Sequence, residues 1–161
     1  MPTRTVQTFH PADPKKIGDK FGATAPYRKH PHRGLDYSVA SGTPLKAVGT
    51  GRLVGKGWSD VLGWWLEIRV AVWDAKKDVA AIRVFSYCHL LEESKLEVGS
   101  AVFGGTVIAK AGNTGSATTG SHLHMSCGVK PGLATGKVED PLPWITSALT
   151  PQSYEVEDPA A

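Results

Sequence analysis

The chain has 161 residues, enough for one domain with a proper hydrophobic core. Eighteen glycines and eleven prolines punctuate it too often for a helical protein, and no apolar run is long enough to span a membrane as a helix. Eighteen basic against fifteen acidic side chains leave a formal charge of +3, which suits approach to an anionic surface but falls short of a nucleic-acid-binding signature.

In chain order, residues 1–20 read as a lead-in without the apolar stretch of a secretory leader. The expectation is synthesis in the cytoplasm without a signal peptide, or export if a leader has been removed. His32-Arg33-Gly34-Leu35-Asp36 is the first cluster with chemical content. In an extended strand its ends lie roughly 13 Å apart, too far to share one ion at bond lengths of about 2.0–2.2 Å. Pro31 and Gly34 argue against a helix, so the chain is expected to bend at Arg33-Gly34 and to swing His32 toward Asp36 as a strand begins.

Short β-branched and aromatic runs at 51–54, 64–70, 79–85 and 106–109 read as strands, with an exposed hairpin turn at 74–78. Pro143 in its first turn suits a short helix near 143–149. Residues 151–161 read as a flexible tail. The fold expected over 21–150 is mainly β, a single-domain antiparallel sheet or sandwich with little helix. Tyr87 reads as a packing residue, although a place along a groove is open to it.

His122-Leu123-His124 has geometric meaning on a strand alone, where both imidazoles leave one face roughly 6–7 Å apart. With His32 and Asp36, one of these two histidines completes a set of two nitrogens and one carboxylate oxygen. Three protein ligands with a fourth position open is the pattern of a catalytic zinc site, and the two cysteines are not spaced for a structural one. Strand alternation places Cys88 and Cys127 on the face opposite His89, His122 and His124, as two reduced thiols or, if their strands adjoin, a disulfide. Taken singly, His32 with Asp36 is a surface ion pair and His89 a satisfied core histidine.

Read together, His32-x-x-x-Asp36, then Gly42-Thr43-Pro44-Leu45-Lys46-Ala47, Tyr87-Cys88-His89-Leu90, and Gly112-Asn113-Thr114-Gly115 running into His122-Leu123-His124 resemble the lysostaphin-type (LytM-domain) zinc endopeptidases. The motifs span roughly residues 20 to 145 in the family's order. The resemblance implies an antiparallel β fold of the duplicated-hybrid-motif type with long active-site loops. It implies one Zn2+ per chain, held by His32, Asp36 and His124, with His122 and His89 as the catalytic histidines. No H-E-x-x-H helix supplies a glutamate, so His122 is expected as general base and His89 as a second proton handler. The implied substrate is a peptide of bacterial peptidoglycan, in the stem or the cross-bridge, cut by a monomer with no nucleic-acid partner. A bacteriophage endolysin released at lysis fits these expectations. The alternatives are a LytM-type wall-binding or regulatory module without activity, and a phage structural component that penetrates the wall.

Overall fold

A computed structural model of the protein describes residues 2–156. The strands in chain order are β1 (Thr3–Val6), β2 (Leu35–Tyr37), β3 (Pro44–Lys46), β4 (Gly51–Ser59), β5 (Gly63–Asp74), β6 (Val79–Leu90), β7 (Ala101–Val102), β8 (Val107–Lys110), β9 (Leu123–Gly128) and β10 (Gln152–Glu155). A short α-helix, α1 (Leu142–Thr146), and a single 3-10 turn at Pro14–Lys16 interrupt the β structure among the described residues. The main sheet has the order β2-β9-β6-β5-β4-β7, beside two small ribbons, β1-β10 and β3-β8. All its neighbours are antiparallel, as expected from the short runs and frequent turns.

Alternation builds the two faces of the sheet. On β5, Leu66, Ile68, Val70 and Val72 enter the core, where they meet Phe85 and Tyr87 of β6, Leu123 and Met125 of β9, and Leu35 and Tyr37 of β2. The opposite face carries Glu67 beside Ser86, and Ser86 beside Ser126, as direct cross-strand partners. The chain thus puts its oil on one side and its chemistry on the other. Tyr87 belongs to the packing side: fully buried, it donates its hydroxyl to the Lys46 carbonyl at 2.7 Å and accepts from the Val48 amide at 3.0 Å.

β5 and β6 are joined through the predicted turn, where the Asp74 carboxylate accepts from the Lys76 and Lys77 amides. α1 starts one residue before the expected helix and ends three earlier, seating Ile145 in the core. The predicted tail requires correction. Residues 152–155 form β10, paired with β1 from Thr3↔Glu155 to Val6↔Gln152, so part of the lead-in and part of the tail are one ribbon. The remainder of the expected tail, 157–161, lies outside the described residues. Among the described residues, no helix is long and apolar enough to cross a membrane.

The β5-β6 register passes from Leu66↔Tyr87 to Trp64↔Leu90, so Cys88 and His89 together stand opposite Trp65 alone. This is a β-bulge, and His89 absorbs it with a left-handed backbone, φ 61°. Simple alternation therefore fails here. Cys88 pairs with His124 across the strands and shares its face, whereas Cys127 pairs with Phe85 and lies in the core. The expectation that both cysteines oppose the histidines is wrong for Cys88, and opposite faces leave both thiols free. Burial pushes the Cys88 thiol up to about 12, so it sits at the site as a neutral group. Cys88→Ser should keep the rate within about twofold. Burying a hydroxyl there should cost about 1 kcal/mol, a fall of about 2–4 °C in melting midpoint. A large loss of rate with normal melting would give Cys88 a chemical role.

Candidate active site

His32 is placed by its loop. Its amide donates to the Ala23 carbonyl and its carbonyl accepts from the Gly22 amide, both at 2.8 Å, which folds the segment before β2 back on itself. Gly34 then brings the chain hard against β9: a Cβ on it would stand 2.7 Å from Cε1 of His124. Close approach, not a left-handed turn, is what demands glycine there. Asp36 on β2 and His124 on β9 are register partners, so their side chains leave the sheet together.

The result is a small triangle. Asp36 Oδ1 lies 2.9 Å from His124 Nδ1 and 3.2 Å from His32 Nε2, and the two imidazole nitrogens are 3.1 Å apart. Among the described residues, these three form the one group whose donor atoms gather closely enough for a metal ion.

The protons on the imidazoles are assigned by what lies behind each ring. His32 Nδ1–H donates to the Lys20 carbonyl at 3.1 Å, leaving Nε2 as a lone pair facing the triangle. His124 Nε2–H donates to Ser126 Oγ at 3.1 Å, and that hydroxyl donates on to the Arg33 carbonyl at 3.2 Å. His124 Nδ1 is thereby bare as well. Three acceptors then face one another with no donor between them, an arrangement that asks for a cation. Burial opposes ionisation of both Asp36 and His32. Yet the imidazoles hold Asp36 well below the usual carboxylate range, and Asp36 holds His32 above the ordinary histidine value. Ligands about 2.0–2.1 Å from a tetrahedral ion stand about 3.3 Å apart, close to the sides of this triangle. The donor set fits a divalent ion.

Two further histidines flank the triangle without entering it. His122 Nδ1–H donates to the Gly120 carbonyl at 2.8 Å, and its Nε2 lies 3.9 Å from Asp36 Oδ1. His89 Nδ1–H donates to the Thr114 carbonyl at 2.7 Å, and its ring centre is 4.9 Å from that of His122. Burial, reinforced by His122 and His124, pushes His89 down to about 4. All five residues singled out in the sequence therefore converge. His10 lies elsewhere, 2.9 Å from the Tyr37 hydroxyl, and His30 is exposed at the rim.

A cleft of about 590 Å3 opens beside His32 and His124. Arg28, Lys29, Arg33 and Trp65 line it, whereas Lys56, Trp58 and Trp64 stand outside its lining. Lys56 instead reaches the Ser94 carbonyl at 2.9 Å. Sequence reading missed Glu67. Buried on the cleft floor, it accepts from the Gly132 and Leu133 amides at 2.9 and 3.0 Å, while Arg33 donates to the Gly136 carbonyl at 2.7 Å. Two opposite charges thus fasten the outer wall of the cleft. A lone acid within an apolar strand was the available signal.

Comparison with known proteins bears on this geometry. Residues 30–136 match the family described as Peptidase family M23. Glycyl-glycine endopeptidase ALE-1 of Staphylococcus capitis is 30% identical over 117 residues, 73% of this chain and 30% of that protein. DD-carboxypeptidase/endopeptidase Mpg of Neisseria meningitidis is 35% identical over 116 residues, 68% of this chain and 23% of that protein. The chain spans less than a third of the length of the curated relatives it matches. The catalytic domain of the antimicrobial peptidase lysostaphin from Staphylococcus simulans superposes with a TM-score of 0.65 at 28% identity, covering 81% of this chain and 92% of that one.

Proposed function

The chain belongs to peptidase family M23, and on that footing we propose that it is a zinc-dependent endopeptidase hydrolysing a peptide bond in bacterial peptidoglycan. The observation that carries the reading is the triangle of Asp36 Oδ1, His32 Nε2 and His124 Nδ1, each stripped of its proton toward the centre. These three residues would hold the ion, which supplies Lewis-acid polarisation of a water and of the scissile carbonyl when bound.

The proton traffic falls to the flanking histidines. His122 presents a bare Nε2 on the side of the triangle because its other nitrogen is committed to the Gly120 carbonyl. It takes the proton of the attacking water and delivers it to the leaving nitrogen. His89, held neutral by burial, is the second proton handler beside it. The cleft next to His124 receives the peptide, and its fastened wall orients the chain across the site.

The relatives' names point to two kinds of wall bond, glycyl-glycine and one adjoining a D-residue. The basic rim of Arg28, Lys29 and Arg33 favours a stem-linked bond, whose neighbours carry carboxylates. The setting of a monomeric bacteriophage lysin is part of the same proposal. Clearing of purified peptidoglycan should require stoichiometric zinc, stop on chelation and return when zinc is restored. Full clearing by metal-free protein would sink the reading. Stoichiometric zinc without cleavage of any wall would favour a binding module.

A further inference from the structure

We propose that Thr114 is a positioning residue for His89, an inference that rests on the assignment of His89 to the reaction. His89 occupies a left-handed backbone conformation, which a side chain of its size keeps when its surroundings hold it there. Three segments meet to do so. The His89 amide donates to the Leu62 carbonyl at 2.8 Å, and the ring Nδ1–H donates to the Thr114 carbonyl at 2.7 Å.

The Thr114 hydroxyl sits at the junction itself. It accepts from the Trp64 amide at 3.1 Å and donates to the Leu90 carbonyl at 2.6 Å. Trp64 and Leu90 are the register partners at which pairing resumes after the bulge. One hydroxyl, by accepting and donating at once, therefore bridges the two strands where their ladder is interrupted. The Thr114 loop is also tied to the β4-β5 turn, through Ser116 N–H to the Asp60 carbonyl at 2.8 Å and Ala117 N–H to the Val61 carbonyl at 3.1 Å. Gly63 and Gly115 pack so tightly that a Cβ on either would collide with the other segment.

The chemical consequence concerns a tautomer. A carbonyl accepts and cannot donate, so a fixed Thr114 carbonyl requires the proton of neutral His89 to reside on Nδ1. Nε2, on the other side of the ring, is left bare for the reaction. Without the hydroxyl the Trp64 and Leu90 backbone groups lose their bridge, the Thr114 carbonyl drifts, and His89 loses both its orientation and its tautomer.

The test compares Thr114→Val, which removes the hydroxyl and keeps the shape, with Thr114→Ser, which keeps the hydroxyl, both in the zinc-loaded full chain. Thr114→Val should retain metal content, while kcat falls about 100-fold with KM unchanged. The downfield Nδ1–H resonance of His89, assigned by its absence in His89→Ala, should vanish into exchange with water. Thr114→Ser should restore both. Should valine crowd the junction and unfold the chain, Thr114→Ala gives the same comparison. Wild-type kcat in a hydroxyl-free variant, or an intact His89 resonance, overturns the proposal. The resonance is read without substrate, so it decides the role of Thr114 even if the peptidase reading itself fails.

Discussion

Alanine at position 124 should abolish metal binding and hydrolysis together. His124 Nδ1 is one corner of the triangle, 2.9 Å from Asp36 Oδ1 and 3.1 Å from His32 Nε2. Its loss leaves two donors, too few for a catalytic zinc site that relies on three protein ligands. It also unpairs Ser126 Oγ, whose donor is the ring of His124. Metal stabilisation of the developing charge is worth several kcal/mol, so the rate should fall by at least about 1000-fold. Elemental analysis of His124→Ala beside a hydrolysis assay checks both halves. Stoichiometric zinc in the variant would show that the ion sits somewhere other than this triangle.

His122→Ala and His89→Ala should separate what His124→Ala joins. Neither ring contributes a corner of the triangle: His122 Nε2 stands 3.9 Å from Asp36 Oδ1, and His89 is centred 6.3 Å from His124. Zinc content should stay near that of the wild type. The rate should fall about 10²–10⁴-fold, the usual size of a general acid–base contribution. If His122 carries the main proton transfer, its variant falls further. Loss of zinc in either variant would mean that the ligand set has been drawn wrongly, and an equal loss of rate in both would make the two imidazoles a single proton-handling unit.

The triangle was legible because its parts obey local rules. His122 and His124 report a strand through their period of two, and His32 with Asp36 makes sense only if the chain bends between them. Other features hide because their cause lies in a distant segment. Gly34 reads as turn chemistry, but the Met125 carbonyl and the ring of His124, about ninety residues on, are what exclude a side chain. Ser126 and Glu67 look like ordinary polar residues of a strand until the Arg33 carbonyl and the 132–133 amides arrive beside them. The bulge at His89 is the instructive failure. Alternation predicted the face of Cys88 from that of His89, but Cys88 keeps the regular register that puts it beside His124, and it is His89 that one residue of left-handed backbone turns. The β1-β10 ribbon was hidden for a similar reason, since neither short polar segment buries enough surface to declare itself alone.

Pairing of β2 with β9 gives the centre a place in the order of folding. Asp36 and His124 are 88 positions apart and meet only when those strands zip. Loop closure of that length is slow, and β2, at the edge of the main sheet, has β9 as its one neighbour there, so the two residues have no other route to each other. A chain in which β2 and β9 have not yet paired therefore presents scattered histidines and no gathered set of donors. The same dependence runs backward: an ion that recognises only the completed fold would stabilise it by mass action, so loading and unfolding temperature should rise together.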